Sequence, residues 1–269
     1  MSDNANKNSS KIDAFGLTDV GQVRDHNEDA IDCDIERGMF ILADGMGGHN
    51  AGEVASALAM ESIKHALYDV LTPEIIDSEI VDYNDALYEA ITYANTEIFE
   101  QALENTEYAG MGTTLVMALI HNGKALIANV GDSRLYVNNG STLTQLTTDH
   151  SLVQEMVDNG YLSEEEAYSA VSRNLITRAL GISEEVEVDL IEHEIQQGDI
   201  FLLCSDGLSD LVIDEEISAI LSESGSLSDA GKKLVAAAND RGGKDNISVI
   251  LITMRKAFSD DSGYEGSVA

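Results

Sequence analysis

Three consecutive apolar runs, GTTLVMALI, KALIANV and SRLYVNN, follow one another with only HNG, GD and NNG to separate them. No other feature narrows the fold of this chain as much. The runs are rich in Val, Ile, Leu and Thr, and the breaks are tight-turn signals, so the stretch from Gly112 reads as an antiparallel meander. Further short strands are predicted from Ala14 to Val20, Met39 to Ala43 and Ile200 to Asp206, and in NISVILITM near the end. The loop GQVRDHNEDA sits between the first two of these. Helical patterns cover about 51–70, with Val54, Leu58, Ile63 and Leu67 on one side, and about 84–103. Pro73 closes the first of them. Shorter helices are expected near 215–221 and 228–238, while residues 150–181 are polar and weakly helical. Strands drawn from both ends of the chain, with long amphipathic helices between, argue for a layered fold rather than a doubly wound parallel sheet.

Composition bounds what such a fold can do. The 269 residues are 43% hydrophobic, enough for a sizeable core in one large domain, and no linker divides them. No run approaches the roughly 20 apolar residues of a membrane span. The opening MSDNANKNSSK lacks the apolar stretch of a secretory signal, so a cytoplasmic location is expected. With 49 acidic and 15 basic residues the formal net charge is −34. A surface so negative repels nucleic-acid phosphates and anionic membranes, and neither is an expected partner. Cys33 and Cys204 form no metal-binding pair and are expected reduced and buried. The six histidines include no HxxxH or HExxH spacing, so any bound metal must be held by oxygen.

Four aspartates share one context, each standing where an apolar strand meets a polar or glycine-containing loop. They are Asp44 in FILADGMGG, Asp132 in IANVGDSR, Asp206 in FLLCSDGLSD and Asp245 in GGKDNISVI. Glu28 and Asp29, placed in the loop after the first strand, make a fifth group. One aspartate at a strand end is ordinary turn chemistry. Five such groups in one chain suggest carboxylates converging on a hard divalent cation, which prefers oxygen ligands and water. Gly45, Gly47 and Gly48 would let backbone pass close to the ion, where a carbonyl can serve as ligand.

The motifs TDVGQVRDHNEDA, ADGMGGHNAGEVAS, GTTLV, NVGDSRLY, TTDHSLV, NLITRALG, CSDGLSD and GGKDNISVI occur in the order found in the type 2C family of metal-dependent protein Ser/Thr phosphatases. The chain resembles its bacterial single-domain members over about residues 12–254. The resemblance implies an α+β fold, a four-layer αββα sandwich of two antiparallel sheets flanked by helix pairs, with a small flap at about 150–177. Residues 1–11 and 255–269 fall outside it, as a polar N-terminus and a C-terminal tail expected to be disordered.

The resemblance also implies roles. Asp44 bridges two Mn²⁺ or Mg²⁺ ions. Asp206 and Asp245 hold the first, Glu28 and the carbonyl of Gly45 serve the second, and Asp132 with Asp206 binds a third, weaker one. Asp29 and Asn246 support these ligands by hydrogen bonding. Arg24 takes the phosphate, and a hydroxide bridging the ions attacks phosphorus in line. The expected substrates are phosphoserine and phosphothreonine proteins, with a Ser/Thr protein kinase as counterpart, and the expected state is a monomer. One departure stands out. Many eukaryotic members carry histidine after the DG pair as a candidate acid, whereas this chain has Met46, which has no proton to give. Arg134 and Arg178 are expected to brace loops through ion pairs, and His49 to be structural.

Overall fold

The computed structural model describes residues 12–48, 51–72, 81–163, 166 and 175–254. Its strands form two antiparallel sheets. The first runs in the order β1 (Ile12–Asp19), β11 (Ile247–Met254), β10 (Ile200–Cys204), β7 (Arg134–Asn138), β8 (Leu143–Gln145). The second runs β2 (Asp29–Asp34), β3 (Met39–Met46), β5 (Leu115–His121), β6 (Lys124–Val130), β9 (Asp189–Glu194), with β4 (Gly112–Thr113) paired to the end of β3.

The central strands read as continuous apolar runs because both of their faces are covered. Successive side chains point to opposite faces of a strand. Phe40 and Leu42 therefore face inward, joining Val116, Ile127, Phe201 and Ile250 in the core between the sheets. Met39 and Ile41 face outward, into a second core with Ile63, Leu67, Leu87 and Ile91. Those last four belong to α1 (Ala51–Tyr68) and α2 (Tyr83–Glu104), the helix pair covering the second sheet. Leu202, Val249 and Leu251 form a third core on the far face of the first sheet. There they meet Ile217 and Leu221 of α5 (Asp214–Glu223) and Leu234 and Val235 of α6 (Leu227–Asp240). Three cores between four layers make the αββα sandwich. Two short helices, α3 (Leu152–Asp158) and α4 (Asp206–Ser209), and a 3-10 turn at Thr106–Tyr108 complete the described elements.

The two long helices begin and end within two residues of their expected limits, and α2 is capped by Asp82, whose carboxylate accepts from the Asn84 and Asp85 amides. Three strands, β2, β8 and β9, have no counterpart among the predicted ones, and the predicted run GTTLVMALI is divided into β4 and β5. In β2 the sequence DAIDCD alternates acids with small or apolar residues. Ile31 and Cys33 face the inter-sheet core while Asp32 faces α1 and binds Lys64 Nζ at 2.6 Å. Asp29 is thus the first residue of an edge strand rather than part of a loop, a correction with consequences for the site. Cys204 is buried and Cys33 half-buried, and both are free thiols. No helix among the described residues is long and apolar enough to cross a membrane. Pro73, His49, the segments 1–11 and 255–269, and much of the expected flap lie outside the described residues.

Candidate metal centre

Antiparallel pairing brings the acidic positions to one end of the sandwich. Asp29 is the register partner of Asp44 across β2 and β3. Cys204, two residues before Asp206, pairs with Val249 of β11 on one side and Arg134 of β7 on the other. The starts of β7 and β11 therefore stand beside the end of β10, with Asp132 and Asp245 just outside them. Arg24, Glu28, Asp44, Gly45, Asp132, Asp206 and Asp245 all line one cavity of about 300 Å³, together with Met46, Gly47, Thr114 and Ile176.

Backbone and hydroxyl groups fix this constellation from behind. The Asp44 amide donates to Thr114 Oγ1 at 3.1 Å, and its carbonyl accepts from the Thr114 amide and the Thr113 hydroxyl, both at 2.9 Å. Gly45 donates to the Glu28 carbonyl at 3.1 Å, which also receives the Ser56 hydroxyl at 2.6 Å. Only glycine fits at 45, since a Cβ there would lie 2.1 Å from the Gly52 carbonyl oxygen of α1. Asn246 locks the loop carrying Arg24 and Glu28. Its Oδ1 accepts from the Glu28 amide at 2.8 Å, while Nδ2 donates to the carbonyls of Val20 at 3.0 Å and His26 at 2.9 Å. Asp29 Oδ2 accepts from Ser205 Oγ at 3.0 Å and Ser248 Oγ at 2.6 Å, joining the end of β10 to the start of β11.

The electrostatics of the cavity are unbalanced. Asp44 is pushed well above the usual carboxylate range by burial first, then by the charges of Asp29, Asp206, Asp132 and Asp245. Asp206 is raised likewise by burial, then by Asp132 and Asp245. Burial and then Asp149 push Asp132 up to about 7. Asp29 is raised to about 6 by burial, against which the Ser248 and Ser205 hydroxyls work. Burial raises Glu28 too, partly offset by Arg24. Asp44 and Asp206 are crowded by protein atoms yet partly exposed through the cavity mouth, so water access keeps the penalty below that of a sealed charge. Asp206 Oδ1 is buried with no hydrogen-bond donor, a cost that a cation would remove.

Among the described residues the single cationic side chain lining the cavity is Arg24, whose Nη2 meets Asp245 Oδ2 at 2.7 Å. Asp245 Oδ1 accepts from the Asn246 amide at 2.8 Å. With both Asp245 oxygens engaged, no three Asp, Glu, His or Cys side chains among the described residues are already aimed together as a finished ligand set. The donor chemistry nevertheless fits a hard cation, being carboxylates plus a backbone carbonyl gathered around a cavity whose negative charge one arginine does not balance.

Arg134 and Arg178 brace loops as expected. Arg134 grips Asp149 through Nε at 2.9 Å and Nη2 at 2.7 Å, and Arg178 Nη1 reaches Asp189 at 3.1 Å. Sequence reasoning gave no role to Thr113, Thr114, Ser205, Ser248 or Asp149. The run GTTLV was the one visible signal, two hydroxyls directly before a strand.

A sequence model of protein phosphatase 2C matches residues 21–251. The serine/threonine phosphatase Stp of Listeria welshimeri is 40% identical over 238 residues, 87% of this chain and 93% of its own. The protein phosphatase PhpP of Streptococcus pneumoniae is 38% identical over 245 residues, 89% of this chain and 96% of its own. Among solved structures, the catalytic domain of the serine/threonine protein phosphatase PstP in complex with two manganese ions superposes with a TM-score of 0.79 at 36% identity, covering 91% of this chain and 99% of that one. Fold, site and relatives define a metal-dependent phosphatase. The chain belongs to the protein phosphatase 2C family of Ser/Thr protein phosphatases.

Proposed function

We propose that this chain hydrolyses phosphoserine and phosphothreonine in other proteins at the carboxylate cavity. What carries the reading is the gathering of Asp44, Asp132, Asp206, Asp245, Glu28 and the Gly45 backbone around one cavity whose single cationic lining residue, among those described, is Arg24. Asp44, Asp206 and Asp245 would hold one divalent cation. Asp44, Glu28 and the Gly45 carbonyl would hold a second, and Asp132 with Asp206 a weaker third. Oxygen donors alone suit Mn²⁺ or Mg²⁺. Bound there, such cations lower the pKa of water toward neutrality and neutralise charge developing on the phosphoryl oxygens.

The chain's own groups do the rest. Arg24, half-exposed at the cavity rim, offers a planar fork to two phosphoryl oxygens, and stands at the mouth beside Asp245, whose bond to it a bound cation would compete for. Asp29 and Asn246 hold the strand ends and the Glu28 loop in register. Met46 lines the cavity at the position after the DG pair, and among the described lining residues there is no histidine, lysine or tyrosine. Water and carboxyl groups are then the proton sources for the leaving alkoxide. Ile176, in the segment returning from the expected flap, forms part of the wall, which supports a role for residues 150–177 in choosing substrates. Proteins phosphorylated by a Ser/Thr kinase are the substrate class, and the enzyme is proposed to act as a cytoplasmic monomer.

Hydrolysis of a phosphothreonine peptide, compared with a sugar phosphate, tests this reading with Mn²⁺ and with chelator, beside Asp206→Asn. Metal-dependent turnover of the peptide that collapses in the variant is expected. Equal turnover in chelator, or preference for the sugar phosphate, would overturn it.

A further inference from the structure

His150 is buried, and both of its ring nitrogens are used. Nδ1 accepts the amide of Gly131 at 3.1 Å, while the Gly131 carbonyl accepts the His150 amide at 2.9 Å. With Nδ1 assigned as the acceptor for Gly131, the ring proton is assigned to Nε2, which lies 3.2 Å from Asp189 Oδ2 and 3.4 Å from Arg178 Nη1. Asp189, the first residue of β9, also receives Arg178 Nη1 on its other oxygen at 3.1 Å. The His150 carbonyl accepts from Thr177 at 2.8 Å, and Ser151 pairs with Ile176.

His150 thereby connects two walls of the cavity, the Gly131 turn through its ring and the 175–178 segment through its backbone and, by way of Asp189, through Arg178. On one side is the turn Gly131–Asp132 between β6 and β7, and on the other the segment 175–178 that carries Ile176. The turn has little freedom of its own. Gly131 has φ +110°, and a Cβ there would lie 2.7 Å from Thr114 Cβ. Beyond the turn, Arg134 is held by Asp149, the neighbour of His150. Residues 149 and 150 thus clamp the turn from both ends, and the Gly131 amide, pointing at Nδ1, has the imidazole as its acceptor.

We infer that His150 is a positioning residue, holding the Asp132 carboxylate and the Ile176 wall in fixed relation. This rests on the reading of Asp132 as a metal ligand. His150 acts on Asp132 through the Gly131 backbone and not by a bond to its carboxylate; loss of a direct outer partner commonly changes metal affinity by about tenfold or more, and this indirect hold is expected to reach about the lower end of that range.

Two substitutions separate the two ring nitrogens. His150→Asn keeps an acceptor close to the Nδ1 position and loses the donor to Asp189. His150→Gln places an amide near Nε2 and loses the acceptor for Gly131. Mn²⁺ binding to the full chain, measured by calorimetry at a temperature where circular dichroism shows every variant folded, is the readout, with phosphopeptide kcat and KM at saturating Mn²⁺ alongside. We expect His150→Gln to weaken the weakest Mn²⁺ binding step by about tenfold, and His150→Asn to restore most of that loss. If His150→Gln does not fold, Asp189→Asn, which frees the ring without removing it, is expected to weaken the same step in the same direction. Unchanged Mn²⁺ affinity with only a lowered melting temperature, or equal losses in both His150 variants, would overturn the inference. Absence of Mn²⁺ binding and turnover in the parent protein would instead overturn the underlying metal-site reading.

Discussion

Replacing Asp132 by asparagine should stabilise the metal-free protein, although it damages a proposed ligand. Burial, and then Asp149, raise the Asp132 carboxyl to about 7, against an ordinary aspartate at about 4. The sign follows from proton linkage. A carboxyl raised in the folded state binds its proton more readily there than in the unfolded chain, so stability is lost as pH climbs from about 4 to about 7 and stays lost above. At about 1.4 kcal/mol per tenfold change in acidity, the ceiling is roughly 4 kcal/mol. Water reaching the cavity and relaxation of the other carboxylates bring the expected gain nearer 2 kcal/mol, or about 4–8 °C in melting temperature for a domain of this size. Thermal unfolding of Asp132→Asn and parent in chelator, at pH 4.5 and pH 8 (both roughly chosen to bracket that window), measures it. The variant should match the parent at the lower pH and exceed it at the higher, and the advantage should shrink with Mn²⁺, which stabilises whichever form binds it. A variant less stable than the parent at the higher pH in chelator would refute the claim that these carboxylates repel one another uncompensated.

Arg24→Ala should shift melting by little, because its pair with Asp245 lies at the surface and contributes under about 1 kcal/mol. Arg24→Lys should raise KM for a phosphopeptide several-fold while Mn²⁺ affinity stays unchanged, since lysine keeps the charge but not the fork. Ser248→Ala removes one of two hydroxyls bound to Asp29 Oδ2 and should cost about 1–2 kcal/mol. That hydroxyl stabilises the ionised carboxylate, and Asp29 is raised to about 6, so the cost seen in urea unfolding should be larger at pH 8 than at pH 5. Cys204, buried and with its thiol pushed up to about 12 by burial, should resist a thiol reagent in the native protein and react once it is unfolded.

The central strands were legible because both of their faces are buried, which writes them as uninterrupted apolar runs such as LVMALI and IFLLC. Edge strands β2 and β9 were not, because each has an outward side that carries acids, and DAIDCD or DLIEHE resembles an acidic loop as much as a strand. At the site, the pattern of aspartates at strand ends was readable, but which of them share a cavity came from resemblance. In the supporting network Asp29 and Asn246 came through the resemblance alone and their hydroxyl partners not at all, for a physical reason. Ser205 and Asp29 lie 176 positions apart, and Asn246 and Glu28 lie 218 apart. A small polar side chain gives no local sign of which distant partner the fold will bring to it. His150 is the same case, a histidine without spacing to a second one, defined by its contacts with Gly131 and Asp189.

The central claim is that one carboxylate cavity holds the cations on which phosphoester hydrolysis depends. Diffraction from crystals grown with Mn²⁺, recorded at the manganese absorption edge, addresses it most directly. The account predicts anomalous peaks inside the cavity, ligated by Asp44, Asp206, Asp245 and the Gly45 carbonyl, with Asp245 turned away from Arg24 to reach them. Mn²⁺-activated hydrolysis by a crystal form that shows no peak in that cavity, or a peak ligated elsewhere on the acidic surface, would contradict it.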